Sequence, residues 1–303
     1  MSLINSCVSE KVIFNLSGFY KLFPVILPQI IFHPTFVCNY RCSYCTNQLY
    51  EPLYPRASEV DYTQWLELFQ EIPRSYISVS GGEPLLYDGL IKLLFGLSKR
   101  HIISKVISNI SGDLTPFIET RKIGYRIIAS FHPEMTFLED FGKRLLFLKK
   151  AGFRLMVNCV ATVDNIKNYD GYKDYIEKKL KIFFRFCAHE SLGEELDIKT
   201  NKKINGLTYA MRKGYFNNFN SKLCYAGSKY LVILPNADVF RCMAGCMYCT
   251  EPDYKDVAAV KDLKQFYLGN LKAGTFQIRD KRFSCHSPCK TVCDIELAKV
   301  RIY

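Results

Sequence analysis

Thirteen cysteines stand in a chain of 303 residues, and ten of them gather in short clusters. Cys38, Cys42 and Cys45 form the first, in VCNYRCSYC. Cys242, Cys246 and Cys249 form the second, in RCMAGCMYC, with Cys224 ahead of it. Cys285, Cys289 and Cys293 form the third, in SCHSPCKTVCD, while Cys7, Cys159 and Cys187 stand alone. Gaps of two or three residues let one stretch of chain present several thiolates to one small volume, as an iron–sulfur cluster requires. In a reducing compartment, clustered cysteines bind metal more often than they form disulfides. The first triplet has no fourth cysteine, so a four-iron cluster there keeps one iron open to a substrate or cofactor, much as a catalytic zinc keeps an open position. Zinc is the alternative ligand set. Structural zinc takes four protein ligands, and an x3–x2 triplet is not a common zinc knuckle.

These thiols need elements to hold them. From residue 29 to about 190, strand-like and helix-like segments alternate. Strands are expected at Ile30–Phe36, Tyr76–Ser80, Lys105–Ser108, Tyr125–Phe131, Arg154–Val160 and Ile182–Cys187. Amphipathic helices are expected within Asp61–Ile72, Tyr87–Leu97 and Phe137–Lys150, the last stopped by Gly152. Strands alternating with helices predict an α/β chain with a parallel sheet and right-handed crossovers, curled into a partial (β/α)6 TIM-like barrel. Chemistry in such folds sits at the C-terminal ends of the strands, and the first cysteine triplet begins just after the first strand. After Cys224, Tyr230–Leu234 and Val239–Arg241 read as a β-hairpin around Pro235-Asn236-Ala237-Asp238. The expected organisation is an N-terminal extension (1–28), a barrel core (29–215) and a small cysteine-rich α+β extension (216–303), with 191–221 as a linker carrying a short helix.

Composition bounds the function. Apolar residues are 49% and charged residues 23%, an ordinary globular mixture. No apolar run approaches the roughly 18 residues of a membrane span. The N-terminus shows no basic region, apolar stretch and cleavage site in succession, so no signal peptide is expected and the location expected is cytoplasmic. Lysine and arginine exceed aspartate and glutamate by 41 to 29, a net charge of +12. That balance suits an anionic partner (nucleic acid, a phosphorylated or carboxylated substrate, an acidic peptide or a membrane surface), with a solvated basic surface as the alternative. The cations are spread along helical segments and no nucleic-acid module is visible, so nucleic acid is not the expected partner.

Cys38, Cys42 and Cys45, with Tyr44 before the last cysteine, resemble the CxxxCxxC signature of the radical S-adenosylmethionine (radical SAM) superfamily. Ser80-Gly81-Gly82-Glu83-Pro84, after the second expected strand, resembles that family's GGEP motif. The resemblance covers residues 29–190. It implies that the three thiolates hold a [4Fe–4S] cluster whose open iron chelates the amino and carboxylate groups of S-adenosylmethionine. Reduction by a partner such as flavodoxin or ferredoxin would break the C5′–S bond, and the 5′-deoxyadenosyl radical would take a hydrogen atom from substrate. Gly81 and Gly82 would let the backbone approach the methionyl amino group, with Glu83 in the same motif. Tyr44 would lie near adenine. Ser108 and Asn109 resemble a position that contacts ribose or carboxylate. Ser130, His132 and Asn158 are further polar groups near strand ends, and for these five a turn-capping or buried role is the alternative.

The segment from Cys224 to Cys242 resembles the start of the auxiliary-cluster domains SPASM and twitch, which hold one or two additional [4Fe–4S] clusters. Seven cysteines, Cys224 through Cys293, suffice for a fully ligated cluster plus a three-cysteine one, or for a single cluster with spares. The first set expected is Cys224, Cys242 and two of the last three; zinc on Cys246, Cys249 and a pair from Cys285–Cys293 is the alternative. Two departures bear on this assignment. Ala237 stands where the hairpin glycine is expected, and the triplets replace the family's x2–x5–x3 run. Relatives of this kind modify ribosomal peptides or oxidise small polar metabolites, sugars and cyclitols among them, as dehydrogenases or epimerases. Peptide modifiers often carry an N-terminal peptide-recognition domain; with 37 residues before Cys38 a complete one is not expected, which lowers the peptide reading without removing it. A non-catalytic iron–sulfur electron carrier is the rival of another class, and the open triplet argues against it. Strand alternation puts Phe183, Arg185, Cys187 and His189 on one face. There Arg185 could bind a substrate carboxylate or phosphate and Cys187 could donate a hydrogen atom, with plain packing as the alternative for Cys187.

Overall fold

The computed structural model describes residues 27–45, 58, 60–188, 222–224, 226–243, 265–278 and 283–285. Six parallel strands follow one another in space as in sequence: β1 (Gln29–Phe32), β2 (Tyr76–Val79), β3 (Ile102–Ser108), β4 (Arg126–Phe131), β5 (Arg154–Ala161) and β6 (Phe183–Ala188). This is the predicted partial (β/α)6 barrel, with strand limits within a few residues of those expected.

Helix α1 (Tyr62–Leu68) starts at a capping box: the Asp61 carboxylate accepts from the Thr63 and Gln64 N–H groups while the Gln64 side chain accepts from the Asp61 N–H. It lays Trp65 against Phe32 of β1, ring centroids 4.8 Å apart and nearly perpendicular, with Phe69 5.0 Å from the same ring. Helix α2 (Leu90–Ser98) buries Leu90, Leu93, Leu94 and Leu97, the i, i+3, i+4, i+7 stripe of a helix packed on a sheet. Helix α3 (Leu138–Lys150) buries Phe141, Leu145 and Leu148, with acids in its first turn and lysines in its last. Between β3 and β4 the chain makes only a 3-10 stretch, Pro116–Ile123, ended by left-handed Gly124. Helix α4 (Tyr169–Lys173) continues into a π-turn before β6.

The strands sort their side chains into two faces. Ile30, Phe32, Ile77, Val79, Val106, Ile127, Ala129, Phe131, Val157, Cys159, Phe184 and Phe186 join the helix-covered core. The alternating set faces the concave side. There the register of β4, β5 and β6 aligns Ile128, Met156 and Phe183 in one row and Ser130, Asn158 and Arg185 in the next. The expected face of Phe183, Arg185 and Cys187 is therefore present; His189 lies outside the described residues.

The C-terminal hairpin forms as predicted, from β8 (Tyr230–Ile233) and β9 (Asp238–Phe240), and it adds to the edge of the barrel sheet. β8 runs parallel to β1, residue for residue from Gln29↔Tyr230 to Phe32↔Ile233, and β10 (Tyr267–Asn270) adds outside β9. One sheet of nine strands results, in the order β10-β9-β8-β1-β2-β3-β4-β5-β6. The cause is burial. Leu231 and Ile233 enter the main core, and Tyr230, Val232, Leu234 and Phe240 form a second cluster with Phe36 on the other face, so both faces of β8 are apolar. Ala237, in place of the expected glycine, adopts the left-handed conformation at φ 69°, which is the conformational demand that glycine meets elsewhere. β7 (Lys222–Cys224) and β11 (Phe283–Cys285) pair with each other as a separate ribbon. The expected boundary at 215/216 and the linker at 191–221 lie outside the described residues.

Trp65 joins the helix layer to β1, the strand that leads into the cysteine loop. Trp65→Ala is expected to lower unfolding free energy by about 3–5 kcal/mol, measured by urea denaturation followed by circular dichroism.

Candidate active site

The Cys38–Cys45 loop leaves β1 and is held by three neighbouring strand ends. The first is the loop after β2. The Gly82 N–H donates to the Thr35 carbonyl at 2.9 Å and the Glu83 N–H to the Val37 carbonyl at 2.8 Å. A Cβ built on Gly81 would fall inside contact distance of the Thr35 oxygen, and one on Gly82 would strike the Phe36 and Val37 carbonyls; Gly81 also has φ 131°, a region closed to other residues. The sequence assigned these missing side chains to approach of a ligand. The structure gives them an intramolecular reason, the close apposition of two loops.

The second support is β3. Glu83 is 1% exposed, and three donors converge on its carboxylate: the Leu85 N–H at 3.0 Å, the Ser108 hydroxyl at 2.7 Å and the Asn109 N–H at 2.6 Å. Burial pushes the Glu83 pKa up, and these hydrogen bonds oppose it. Asn109 passes the support onward, its amide donating to the Asn39 side chain at 3.0 Å, while Asn39 donates to Ser111 at 2.7 Å. Ser108 thus spends its hydroxyl on Glu83, and Asn109 touches the cysteine loop directly.

The third support is the turn after β4. The Glu134 carboxylate accepts from the Ser43 N–H at 2.9 Å and the Ser43 hydroxyl at 2.6 Å. His132 Nδ1 lies 2.9 Å from the Tyr44 hydroxyl and 3.3 Å from the Cys42 sulfur. Tyr44, expected near adenine, stacks on His132 with centroids 5.9 Å apart. Burial lowers the His132 pKa to about 4, with Glu134 opposing.

Cys42 is buried, and Cys38 and Cys45 are partly so. Burial first, then the neighbouring Cys45, pushes the Cys42 thiol up to about 12; burial also raises Cys38. Crowded, desolvated sulfurs resist becoming three bare thiolates, and a cationic metal centre removes that penalty. By type, x3–x2 spacing and placement on one partly buried loop, the three sulfurs fit a three-thiolate iron–sulfur cluster, while no three His, Cys, Asp or Glu side chains among the described residues gather closely enough for a single metal ion.

Two residues before His132, the row Ser130–Asn158–Arg185 crosses the concave face, about 7 Å lower along the strand. Arg185 Nε donates to Asn158 Oδ1 at 3.1 Å. Cys187 lies opposite Val160 and is partly exposed.

Of the remaining cysteines, Cys242 follows β9 and packs against the Phe36 cluster. Cys224 ends β7 and Cys285 ends β11; since Cys224 pairs with Phe283, the two occupy diagonal register positions. Cys246, Cys249, Cys289 and Cys293 lie outside the described residues.

The family model of the radical SAM superfamily matches residues 32–184. This chain belongs to the radical SAM superfamily. Solved structures agree on the fold. Streptococcus suis SuiB bound to its precursor peptide SuiA is 16% identical, with a TM-score of 0.57 over 95% of this chain and 78% of that one. SuiB bound to S-adenosylmethionine gives 14% and 0.55 over 87% and 73%. anSMEcpe with bound AdoMet and the Kp18Cys peptide gives 14% and 0.55 over 82% and 79%. No curated protein matches the sequence. The radical SAM fold of this chain implies a [4Fe–4S] cluster and S-adenosylmethionine.

The site also contains groups that sequence reasoning missed. Glu134, Ser43 and Asn39 carry no signal apart from nearness to His132 and the cysteines. His33, two residues before Thr35, is buried with neither ring nitrogen hydrogen-bonded, and burial lowers its pKa to about 4.

Two substitutions test the loop supports. Glu83→Gln turns an amide donor toward one of three donors and is expected to cost about 2–4 kcal/mol by urea denaturation. Gly81→Ala is expected to cost about 1–3 kcal/mol through overpacking and to reduce iron uptake on reconstitution.

Proposed function

We propose that this radical SAM enzyme performs an oxidative modification of a peptide, of the ribosomal-peptide maturation type. What carries the reading is the cysteine loop, whose three partly or fully buried thiols are held by the ends of β2, β3 and β4. When bound at Cys38, Cys42 and Cys45, a [4Fe–4S] cluster with S-adenosylmethionine supplies a 5′-deoxyadenosyl radical that abstracts hydrogen from substrate. The protein's part is to hold those sulfurs, close the loop against water and present the substrate from the concave face. Glu83, Asn109 and Glu134 hold the loop. Tyr44, Gly81, Gly82, Ser108, Ser130, His132 and Asn158 form the surroundings in which S-adenosylmethionine binds.

Arg185 anchors an anionic group of the substrate. Asn158 orients its Nε and leaves the outer edge of the guanidinium for a carboxylate. Cys187, on the same face two residues on, would donate a hydrogen atom to the substrate radical in the epimerising alternative, which leaves a thiyl radical for an external reductant; in the oxidation the substrate radical gives its electron to an acceptor instead. A peptide substrate is supported by the fold shared with SuiB and anSMEcpe, whose structures hold peptides, and by the net charge of +12, which suits an acidic peptide. Cys224, Cys242, Cys246, Cys249, Cys285, Cys289 and Cys293 supply one or two auxiliary clusters in a SPASM- or twitch-like region. The diagonal positions of Cys224 and Cys285 on paired strands support a shared site. An oxidation needs an electron acceptor, a role an auxiliary cluster fits. A flavodoxin or ferredoxin supplies the reducing electron, in the cytoplasm. A sugar or cyclitol substrate would use the same Arg185 face and is the second outcome of the substrate test.

Anaerobic reconstitution with iron and sulfide, followed by S-adenosylmethionine and dithionite, tests the chemistry. About eight or more irons per chain with release of 5′-deoxyadenosine is expected; about four irons with cleavage would remove the auxiliary clusters. Cys42→Ala is expected to abolish cleavage. Against the true substrate, Arg185→Gln is expected to raise KM roughly tenfold or more with uncoupled cleavage unchanged, and Cys187→Ala at full turnover would remove the hydrogen-donor role.

A further inference from the structure

The turn after β4 meets the cysteine loop at four residues. Tyr40 packs edge-on to the His132 ring, centroids 5.8 Å apart at 84°, and Tyr44 stacks on it at 17°. Wedged between them, the ring keeps Nδ1 on the Cys42 sulfur at 3.3 Å and the Tyr44 hydroxyl at 2.9 Å. Glu134, two residues on, grips Ser43 through both carboxylate oxygens. The turn itself is closed by the Met135 and Thr136 N–H groups, which donate to the His132 carbonyl at 2.9 and 3.1 Å.

We propose that this turn positions the cluster loop and tunes its redox potential, with His132 donating a hydrogen bond to the Cys42 sulfur and Glu134 fixing the backbone between Cys42 and Cys45. The inference rests on the cluster assignment to Cys38, Cys42 and Cys45. A thiolate ligand only accepts hydrogen bonds, so the tautomer that satisfies the contact carries hydrogen on Nδ1; the Tyr44 hydroxyl beside it also hydrogen-bonds to the Cys42 sulfur and is a second donor there. An N–H···S bond withdraws electron density from the ligating sulfur and stabilises the added electron of the reduced cluster, which raises its potential. Glu134 acts differently. Holding Ser43 N–H and O–H together fixes the short link that sets the spacing of Cys42 and Cys45 before any iron arrives. His132 and Glu134 are thus positioning residues, and their two effects separate in experiment.

The test is anaerobic reconstitution of the full chain as wild type, His132→Leu, His132→Asn and Glu134→Ala. Iron uptake is followed, and the midpoint potential is taken from the reduced-cluster electron paramagnetic resonance signal that S-adenosylmethionine perturbs. His132→Leu is expected at a more negative potential. His132→Asn, whose amide N–H donates from nearly the same place, is expected near wild type. Glu134→Ala is expected to load iron several-fold more slowly at unchanged potential. Leu and Asn variants both at the wild-type potential, or both equally lowered, would overturn the role of His132. If His132→Leu takes up no iron, the Asn variant decides: a wild-type potential supports the role and a lowered one overturns it. Wild-type uptake by Glu134→Ala overturns the role of Glu134. A wild-type protein with no S-adenosylmethionine-sensitive signal would instead overturn the cluster assignment.

Discussion

Two backbone hydrogen bonds fix the distance on which the site depends: Gly82 N–H to the Thr35 carbonyl and Glu83 N–H to the Val37 carbonyl. They press the loop after β2 against the segment that leads from β1 into the cysteines. No side chain fits in that gap, which is why glycine stands at 81 and 82. Once the loops are that close, the Glu83 side chain is carried into the interior, where a carboxylate is costly unless paired with donors. The Leu85 N–H, Ser108 hydroxyl and Asn109 N–H meet that need. The buried carboxylate therefore ties the loop after β2 to the end of β3, while the two backbone bonds tie that loop to the segment leading into the cysteines.

The electrostatics around the cysteines follow from the same burial. Desolvation leads the upward shifts of Cys38 and Cys42, ahead of the repulsion between sulfurs. A metal cluster bound there would neutralise thiolates that this desolvated loop otherwise disfavours. Lower on the concave face, Asn158 directs Arg185. A pre-oriented guanidinium loses less freedom on meeting a carboxylate than a free one would.

The C-terminal strands close one edge of the barrel sheet. β8 covers β1, the strand that feeds the cysteine loop, and its inward residues Tyr230 and Val232, with Leu234 just beyond the strand, pack with Phe36, two residues before Cys38. Cys242 borders the same cluster. The hairpin of the C-terminal extension is thus built into the wall beside the site, and the sheet gains a covered edge where β1 would otherwise be exposed.

Local chemistry determined much of this by itself. The spacing of Cys38, Cys42 and Cys45, the Gly81-Gly82-Glu83-Pro84 run and the alternation of six apolar strands with amphipathic helices are periodic or short-range features, so the fold class and the place of the site were legible. The Tyr230–Arg241 hairpin was legible too, since its turn is local. What the tertiary structure decided are contacts between residues far apart in sequence. The parallel pairing of β8 with β1 joins segments about 200 residues apart, and no local pattern names a strand's neighbour. Glu134 reaches Ser43 and His132 reaches Cys42 across about 90 residues. Ser108 is polar in sequence for a partner, Glu83, that only the packed sheet brings to it. Residue type states what a group can bond to, and the fold alone states which group is within reach.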